Sequence, residues 1–451
     1  MMGKYQSYPN YKKASVTWLD EMPEHWILSK VKYIAPFQVG WTPPTKNDEN
    51  FVGENLWVNI SDLKEKVITN TSKRISDRAA KEASMSITPK GSLMYSFKLS
   101  VGSVSFAGED MYTNEAIASF LDSARLPLSY LYYALPKFVI ENASTNIYGA
   151  RILNQELINN AQLLEPTYEE AENIANFLDH ETAIIDTLIE KQQQLIKLLK
   201  EKRQAVISHA VTKGIPNKEH SNVPMKDSGV EWLGEVPEHW VVTKLKYLSS
   251  IQGGYAFSSD SFTEEGVQIL RIGNVYQNRL ALERQPIFVP HKMLNELSDF
   301  KVQQNDILMS LTGTLGKRDY GFAIKVEHCD SFLLNQRVAK LLPFDAKVDL
   351  DFLINVLWSE SYLTQLYSLP SGTKQANLAN SDVLGIVVAI PPTKEEQRAI
   401  ANYLSQKLEY FDRTIEKAQN ATLLMQERRT ALISAAVTGK IDVRNWEQPN
   451  D

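Results

Sequence analysis

Two stretches of the chain repeat apolar positions at alternating steps of four and three. The first runs through Ile174, Leu178, Glu181, Ile185, Leu188, Gln192, Leu195, Leu199, Lys202 and Val206, and the second through Ile400, Leu404, Lys407, Phe411, Thr414, Ala418, Ala421, Met425, Arg428 and Leu432. The two lines stand at one constant offset from Ile174 and Ile400 to Val206 and Leu432, with no gap needed between them. A heptad sustained over about 40 residues predicts a helix about 60 Å long with one apolar seam, at 1.5 Å rise per residue. Pro166-Thr167 and Pro392-Thr393 precede the two segments with acidic residues just after them, and Gly214 and Gly439 follow, as capped helices require. No Gly or Pro interrupts either one, which favours pairing, and because one chain holds both copies in like relation to what precedes them, a pseudo-twofold antiparallel pair is the economical geometry. Gln192, Lys202, Lys407 and Arg428 interrupt the seam, so further helical partners are expected.

Elsewhere the apolar runs are short. "FVGENLWVNISDL", "GSLMYSF", "VQILRIGNV", "NDILMSLTG", "FLLNQRVAKLLP" and "VLGIVVAIPP" are separated by Gly, Asn and Asp turns and predict β-strands. One helix is expected near "PLSYLYYALPKFV" and its counterpart near "DLDFLINVLWSESYLTQLY". The class is therefore mixed α+β, with bodies at residues 27–164 and 241–390.

The ends of these bodies repeat while the middles do not. "EMPEHWILSKVKY" from Glu21 returns as "EVPEHWVVTKLKY" from Glu235, so that Trp26 answers to Trp240 and Trp18 to Trp232 at one shared offset. The offset between the two helices is larger than that between the two cassettes, so the second body is the longer one. Fainter echoes link "LMYSFKLSVG" to "LMSLTGTLG" and "TNEAIASFL" to "LNQRVAKLL". A fixed frame carrying two different readers is implied. The expected divisions are a first domain with its lead-in at 1–164, a helix at 165–213, a linker, repeated lead-in and second domain at 214–390, a helix at 391–442, and a tail at 443–451.

Composition narrows the class. With 451 residues, 43% hydrophobic and 10% aromatic, the chain can fill two or three cores. Cys329 is the single cysteine and the seven histidines show no spaced ligand pair, which excludes a disulfide framework and a cysteine-rich zinc site. No signal-like or membrane-length apolar run occurs, so a cytoplasmic protein is expected. A net charge of −6 argues against charge-driven coating of nucleic acid but leaves room for a local basic cleft, or for a grip shared with partners.

The candidate catalytic motifs are incomplete. "GTLGKRD" places Leu311 where a phosphate-binding loop needs its first glycine. "TPPT" and "IPPT" lack the aromatic that follows the prolines in amino-methyltransferases. His25 and His239 recur without a convergent acid or nucleophile and read as packing or capping groups.

The two PEHW cassettes, "DILMSLTGTLG", "NQRVAKL", "SGTKQANLANSDVLGIVVAIPP", "PPTKEEQRAIANYL" and the paired endings "VTKGI" and "VTGKI" resemble the specificity subunit of Type I restriction-modification systems over essentially the whole chain. One position departs: Ala171 stands where the second copy has Gln397, so a local contact at the helix start differs. The resemblance implies two pseudo-symmetric mixed α/β target recognition domains separated by a long antiparallel two-helix coiled coil. It implies a non-catalytic subunit that reads a bipartite, asymmetric target in double-stranded DNA and docks two methyltransferase subunits and restriction/translocase subunits, with no membrane partner. No cofactor is expected in this chain; S-adenosylmethionine, ATP and Mg are expected on partners. The alternatives are an autonomous DNA-modifying enzyme, nuclease or methylase, and a purely structural coiled-coil scaffold.

DNA sequence is read by Arg, Lys, Asn and Gln at base edges, with phosphates held by Lys, Ser, Thr and backbone N–H groups. Polar turns in the first body nominate Thr42, Lys46, Lys98, Asn146, Tyr148 and Arg151. Those of the second nominate Tyr255, Arg271, Asn274, Thr312, Lys317, Lys374 and Gln375. Gly254, Gly313, Gly316 and Gly372 would let backbone approach DNA. Asn114 and Asn335, which recur in both halves, read as structural turn residues.

Overall fold

The computed structural model describes residues 5–98, 100–145, 149, 151–216, 223–327, 331–369 and 374–448. Its contacts form two compact units, Met1–Gln192 with Ala421–Asp451, and Gln193–Asn420. The division falls inside both long helices, so each unit holds the start of one helix and the end of the other.

The first unit contains β1 (Ile27–Lys30), β2 (Phe37–Val39), β3 (Asn55–Val58), β4 (Val67–Ile68), β5 (Leu93–Ser96), β6 (Val104–Ala107), β7 (Ile117–Phe120), α1 (Leu128–Phe138) and β8 (Gln162–Glu165), followed by the start of α2 (Tyr168–Lys213). Every residue of β5 and of β7 is buried, which is why these apolar and small runs lie inside the sheet β2-β7-β5-β6-β4. The second unit contains β9 (Val241–Lys244), β10 (Ser249–Gly253), β11 (Val267–Leu270), β12 (Ile307–Ser310), β13 (Thr312–Thr314), β14 (Ala323–Lys325), β15 (Phe332–Leu334), β16 (Val338–Pro343), α3 (Leu350–Leu357), α4 (Glu360–Ser368), β17 (Gln375–Asn377), β18 (Val387–Ile390) and the start of α5 (Lys394–Val437). Its sheet order β10-β16-β12-β14 repeats the first, with Val338 opposite Ser310 as Ile117 is opposite Ser96. The stretch from Ser310 to Val338 is longer than that from Ser96 to Ile117, so much of the second body's extra length enters between these strands. That longer connection supplies β13, which pairs antiparallel with β17.

The repeated cassette fastens each body to the helices. His25 Nε2 lies 2.9 Å from Glu170 Oε2, and His239 Nε2 lies 3.1 Å from Glu396, so the histidine meets a glutamate in the first turn of α2 or α5. Trp26 and Trp240 are buried, and the glycine ending the opposite helix lies against each ring: a Cβ on Gly439 would stand 3.3 Å from Trp26, and one on Gly214 3.9 Å from Trp240. Both glycines have positive φ, +71° for Gly439 and +83° for Gly214, as a helix stop requires. The glutamates are used differently. Glu396 accepts from Trp240 Nε1 at 2.9 Å, whereas Glu170 accepts from the Tyr8 hydroxyl at 2.6 Å and Trp26 Nε1 is buried without a partner among the described residues. Burial and the Glu170 bond raise the Tyr8 hydroxyl above its ordinary range, so it remains a donor.

The helix seam differs from the expected one in alternate positions. In α2 the buried and half-buried line is Leu178, Thr182, Ile185, Ile189, Gln192, Ile196, Leu199 and Arg203, while Leu188 and Leu195 are exposed. In α5 it is Leu404, Leu408, Phe411, Ile415 and Ala418, and Lys407 and Thr414 lie off it. Each of the expected Glu181, Leu188, Leu195 and Lys202 yields to its C-terminal neighbour. Leu188-Ile189 and Leu195-Ile196 are apolar pairs, so both lines keep the four-three spacing and only the partner helix selects between them. In the first unit Ile174, Leu178 and Ile185 share a core with Leu432, Ala436 and Val437; in the second, Ile207, Ala210 and Val211 share one with Ile400, Leu404 and Leu408. Start packs on end in both, which is antiparallel pairing. Two forked ion pairs fix that register: Asp186 with Arg429 at 2.8 and 3.1 Å, and Arg203 with Asp412 at 2.8 and 3.2 Å. Partly exposed, each is worth about 0–1 kcal/mol, so they serve register more than stability.

The expected single helix after the second sheet is two helices. Ser359 interrupts it, its hydroxyl accepting from Tyr362 N–H at 3.3 Å as the N-cap of α4.

The departure at Ala171 has a structural reason. Gln397 is fully buried: its Oε1 accepts from Asp349 N–H at 2.7 Å, and its Nε2 donates to Pro391 O at 3.0 Å and Lys347 O at 3.3 Å. Asp349 is the N-cap of α3. At the same place before α1 stands Pro127, which has no N–H, and a buried alanine suffices. Gln397→Ala is expected to cost about 1–3 kcal/mol by stranding buried backbone groups. Ala171→Gln is expected to cost more, because overpacking of about 1–3 kcal/mol adds to a buried amide oxygen with no donor facing it. Thermal unfolding of the two variants checks this; equal, negligible shifts would refute it.

Candidate nucleic-acid interface

In the second unit the loops carrying Tyr255, Gln336, Leu311 and Leu378 meet beside the β12–β16 pair. Tyr255 N–H donates to Leu334 O at 2.8 Å, Gln336 N–H to Tyr255 O at 2.9 Å, Leu311 N–H to Arg337 O at 3.0 Å, and Leu378 N–H to Leu311 O at 2.9 Å. Gly254 is required because a Cβ there would lie 2.3 Å from the Asn335 carbonyl oxygen. Asn335 Oδ1 accepts from Arg337 N–H at 3.4 Å, and Arg337 Nη1 donates to Asn377 Oδ1 at 3.2 Å across to β17. The exposed side chains gathered here are Tyr255, Gln336, Arg337, Lys317, Lys374, Gln375 and Asn377. They combine an aromatic face, amides, a guanidinium and two ammonium groups, the set that packs on nucleotides, reads base edges and holds phosphates.

The first unit builds the same frame with other words. Trp41 N–H donates to Thr113 O at 2.9 Å, Phe97 N–H to Ala116 O at 3.0 Å, and Asn114 Oδ1 accepts from Ala116 N–H at 3.0 Å. A Cβ on Gly40 would collide with the Thr113 carbonyl, the fault that Gly254 avoids in the second unit. Trp41 is therefore the positional equal of Tyr255, at 40% and 37% exposure, and Glu115-Ala116 the equal of Gln336-Arg337. Thr42 Oγ1 donates to Glu115 Oε2, and Lys98 is exposed just beyond Phe97.

The nominated residues divide accordingly. Thr42, Lys98, Tyr255, Lys317, Lys374 and Gln375 lie in these loop clusters, and Arg271 adjoins one, since the preceding Leu270 carbonyl accepts from Asn335 N–H at 3.1 Å. Lys46 is exposed on the loop after β2. Arg151 is exposed but turned inward at its tip, donating to Ile140 O at 3.0 Å with Glu141 at 3.6 Å. Asn146, Tyr148 and Gly372 lie outside the described residues.

Three expectations need correction. Asn274 is buried and its amide is spent on its own turn, Oδ1 accepting from Arg271 N–H at 2.9 Å and Nδ2 donating to Ala281 O and Arg284 O at 3.0 Å. Thr312 is buried in β13. Gly254 and Gly313 admit neighbouring protein rather than a ligand: a Cβ on Gly313 would lie 2.4 Å from Asp319 Oδ1. Trp41, Glu115, Gln336, Arg337 and Asn377 also lie in these clusters, outside the nominated set; Asn114 and Asn335 directly precede three of them.

The family profile described as the type I restriction modification DNA specificity domain matches residues 23–198 and again 237–425. The chain belongs to this family. Each match runs from a PEHW cassette through a reader and into its long helix, so the internal repeat is the family's unit used twice. A type I restriction enzyme specificity subunit of Methanocaldococcus jannaschii is 28% identical over 70% of this chain and 71% of its own, and a second from that organism is 22% identical over 98% and 99%. The Escherichia coli EcoBI specificity subunit is 24% identical over 71% of this chain and 67% of its own. Among solved structures, a chain from a study of complex assembly and conformational transition in a type I restriction-modification system superposes with a TM-score of 0.64 at 15% identity, covering 93% of this chain and 99% of that one. The HsdS subunit of Thermoanaerobacter tengcongensis gives 0.50 at 15%, covering 93% and 98%. The fold expected from sequence, two mixed α/β recognition domains with a paired long helix, is the fold of this family. Among the described residues no helix is long and apolar enough to cross a membrane.

Proposed function

We propose that this specificity subunit reads an asymmetric, bipartite target in double-stranded DNA, one half-site per body, as the non-catalytic reader of its complex. The observation that carries this is the duplicated loop frame: equivalent backbone bonds hold Trp41 and Ala116 in one body and Tyr255 and Arg337 in the other, with Thr42 and Glu115 joined by a side-chain bond beside the first pair and Gln336 preceding Arg337 in the second. A common frame with different side chains is what two unlike half-sites need. Exposed apolar residues on the helices, Leu188 and Leu424 in the first unit and Leu198 and Tyr410 in the second, support docking of two methyltransferase subunits, with restriction/translocase subunits joining them. Methyl transfer from S-adenosylmethionine, and ATP and Mg chemistry, then belong to those partners. "GTLGK" supports this division, because its first two residues end β13, which pairs with β17, and no helix that could cradle a phosphate opens after it.

The test is co-expression with methyltransferase subunits followed by sequencing of the methylated DNA. One motif with two unequal halves separated by unspecified bases is expected. Methylation without a motif, or methylation or cleavage by the chain alone, would overturn the reading.

A further inference from the structure

The residue pairs that follow the framing asparagines occupy the same place in both bodies and carry opposite charge. Asn114 is followed by Glu115-Ala116, and Asn335 by Gln336-Arg337. The equivalence does not rest on alignment of letters: the carbonyls of Ala116 and Arg337 both accept, at 3.0 Å, from the residue just past the neighbouring strand, and Ile117 and Val338 then face Ser96 and Ser310. Arg337 is exposed, yet its guanidinium is steadied by Asn377 Oδ1 at 3.2 Å, which leaves the other nitrogens of a planar fork to donate outward. Glu115 is exposed and steadied by the Thr42 hydroxyl on one oxygen. A carboxylate on a surface meeting polyphosphate is repelled unless it accepts a hydrogen bond that compensates for this. Among base edges in the major groove, the cytosine N4 amino group is such a donor, and guanine O6 and N7 are the matching acceptors for an arginine fork.

We propose that Glu115 and Arg337 are specificity-determining residues at equivalent turns of the two readers, Glu115 accepting from the N4 amino group of a cytosine in one half-site and Arg337 donating to O6 and N7 of a guanine in the other. The inference rests on the DNA-reading function proposed above and adds which side chain decides which base. Thr42 and Asn377 are positioning residues, each holding its reader at the angle the groove requires.

The experiment uses the full chain in complex with its methyltransferase subunits. Glu115→Gln, Arg337→Ala and, as a control from the same loop cluster as Arg337, Lys317→Ala are compared by sequencing of methylated DNA and by binding to duplexes in which each target base pair is changed in turn. Glu115→Gln is expected to relax discrimination at one cytosine position, and Arg337→Ala at one guanine position in the other half, each by about 10- to 100-fold. All other positions are expected to keep their preference, while Lys317→Ala weakens every duplex alike and flattens the salt dependence. If the Glu115 or Arg337 variant loses affinity uniformly, or keeps every base preference, the assignment is overturned. A wild-type complex that shows no motif at all would instead refute the underlying reading, so the two failures are distinct.

Discussion

Replacing residues 27–164 with the corresponding segment of a relative changes one half of the methylated sequence and leaves the other half intact. The frame that must accept the foreign reader stays in place: His25 and Trp26 precede the exchanged segment and Glu170 follows it. The new segment must form the antiparallel pairing of β1 with β8, in which Ile27 stands opposite Glu165. It must also satisfy Glu165, which is buried and accepts from Ser29 Oγ and Arg125 Nη2, each at 2.5 Å. A relative lacking both donors would strand a buried carboxylate at a cost of several kcal/mol, so the donor should keep a hydroxyl and a cation there. With that provision, sequencing of methylated DNA is expected to show a new first half, complete replacement rather than a graded shift. A simultaneous change in both halves would show that the bodies do not read independently.

The second large effect concerns assembly. Leu198 and Leu424, which answer to each other in the helix repeat, are 61% and 63% exposed on their helices. Neither lies in the seam, so glutamate at both should leave the fold of the chain unchanged; surface substitutions away from packed sites usually stay within about 0.5 kcal/mol. If these leucines anchor helices of methyltransferase subunits, each substitution costs about 2 kcal/mol or more of association, roughly 30-fold. Independent sites would multiply to roughly a thousandfold loss. Co-purification and host DNA methylation should both fail in Leu198→Glu/Leu424→Glu while the melting temperature of the isolated chain holds. A variant that assembles and methylates normally would place docking elsewhere.

Much of this molecule was legible in the order of its residues. The repeat, the two long helices with their caps, the strands around Leu93 and Ile307 and the duplicated PEHW cassette follow from period, apolar runs and punctuation, which are local properties of the chain. His25 and His239 show no acid partner in sequence, yet each meets a glutamate of a helix start that lies more than a hundred residues away in the chain. Tertiary structure decided what local pattern leaves degenerate. A heptad with adjacent apolar pairs fits two seams one step apart, and only the facing helix half-buries Ile189 and Ile196 and leaves Leu188 and Leu195 exposed. Polar turn residues look alike in sequence, but a carboxamide can be spent on its own loop, as in Asn274, or a guanidinium held toward solvent by a neighbouring strand, as in Arg337 with Asn377. The same is true of glycine: Gly254 serves the close passage of Asn335, whose proximity no local spacing encodes. Secondary structure was written in the chain because backbone preferences and side-chain period act over a few residues. Which polar side chains gather at the exposed loops was not, because that depends on hydrogen bonds between strands far apart in sequence.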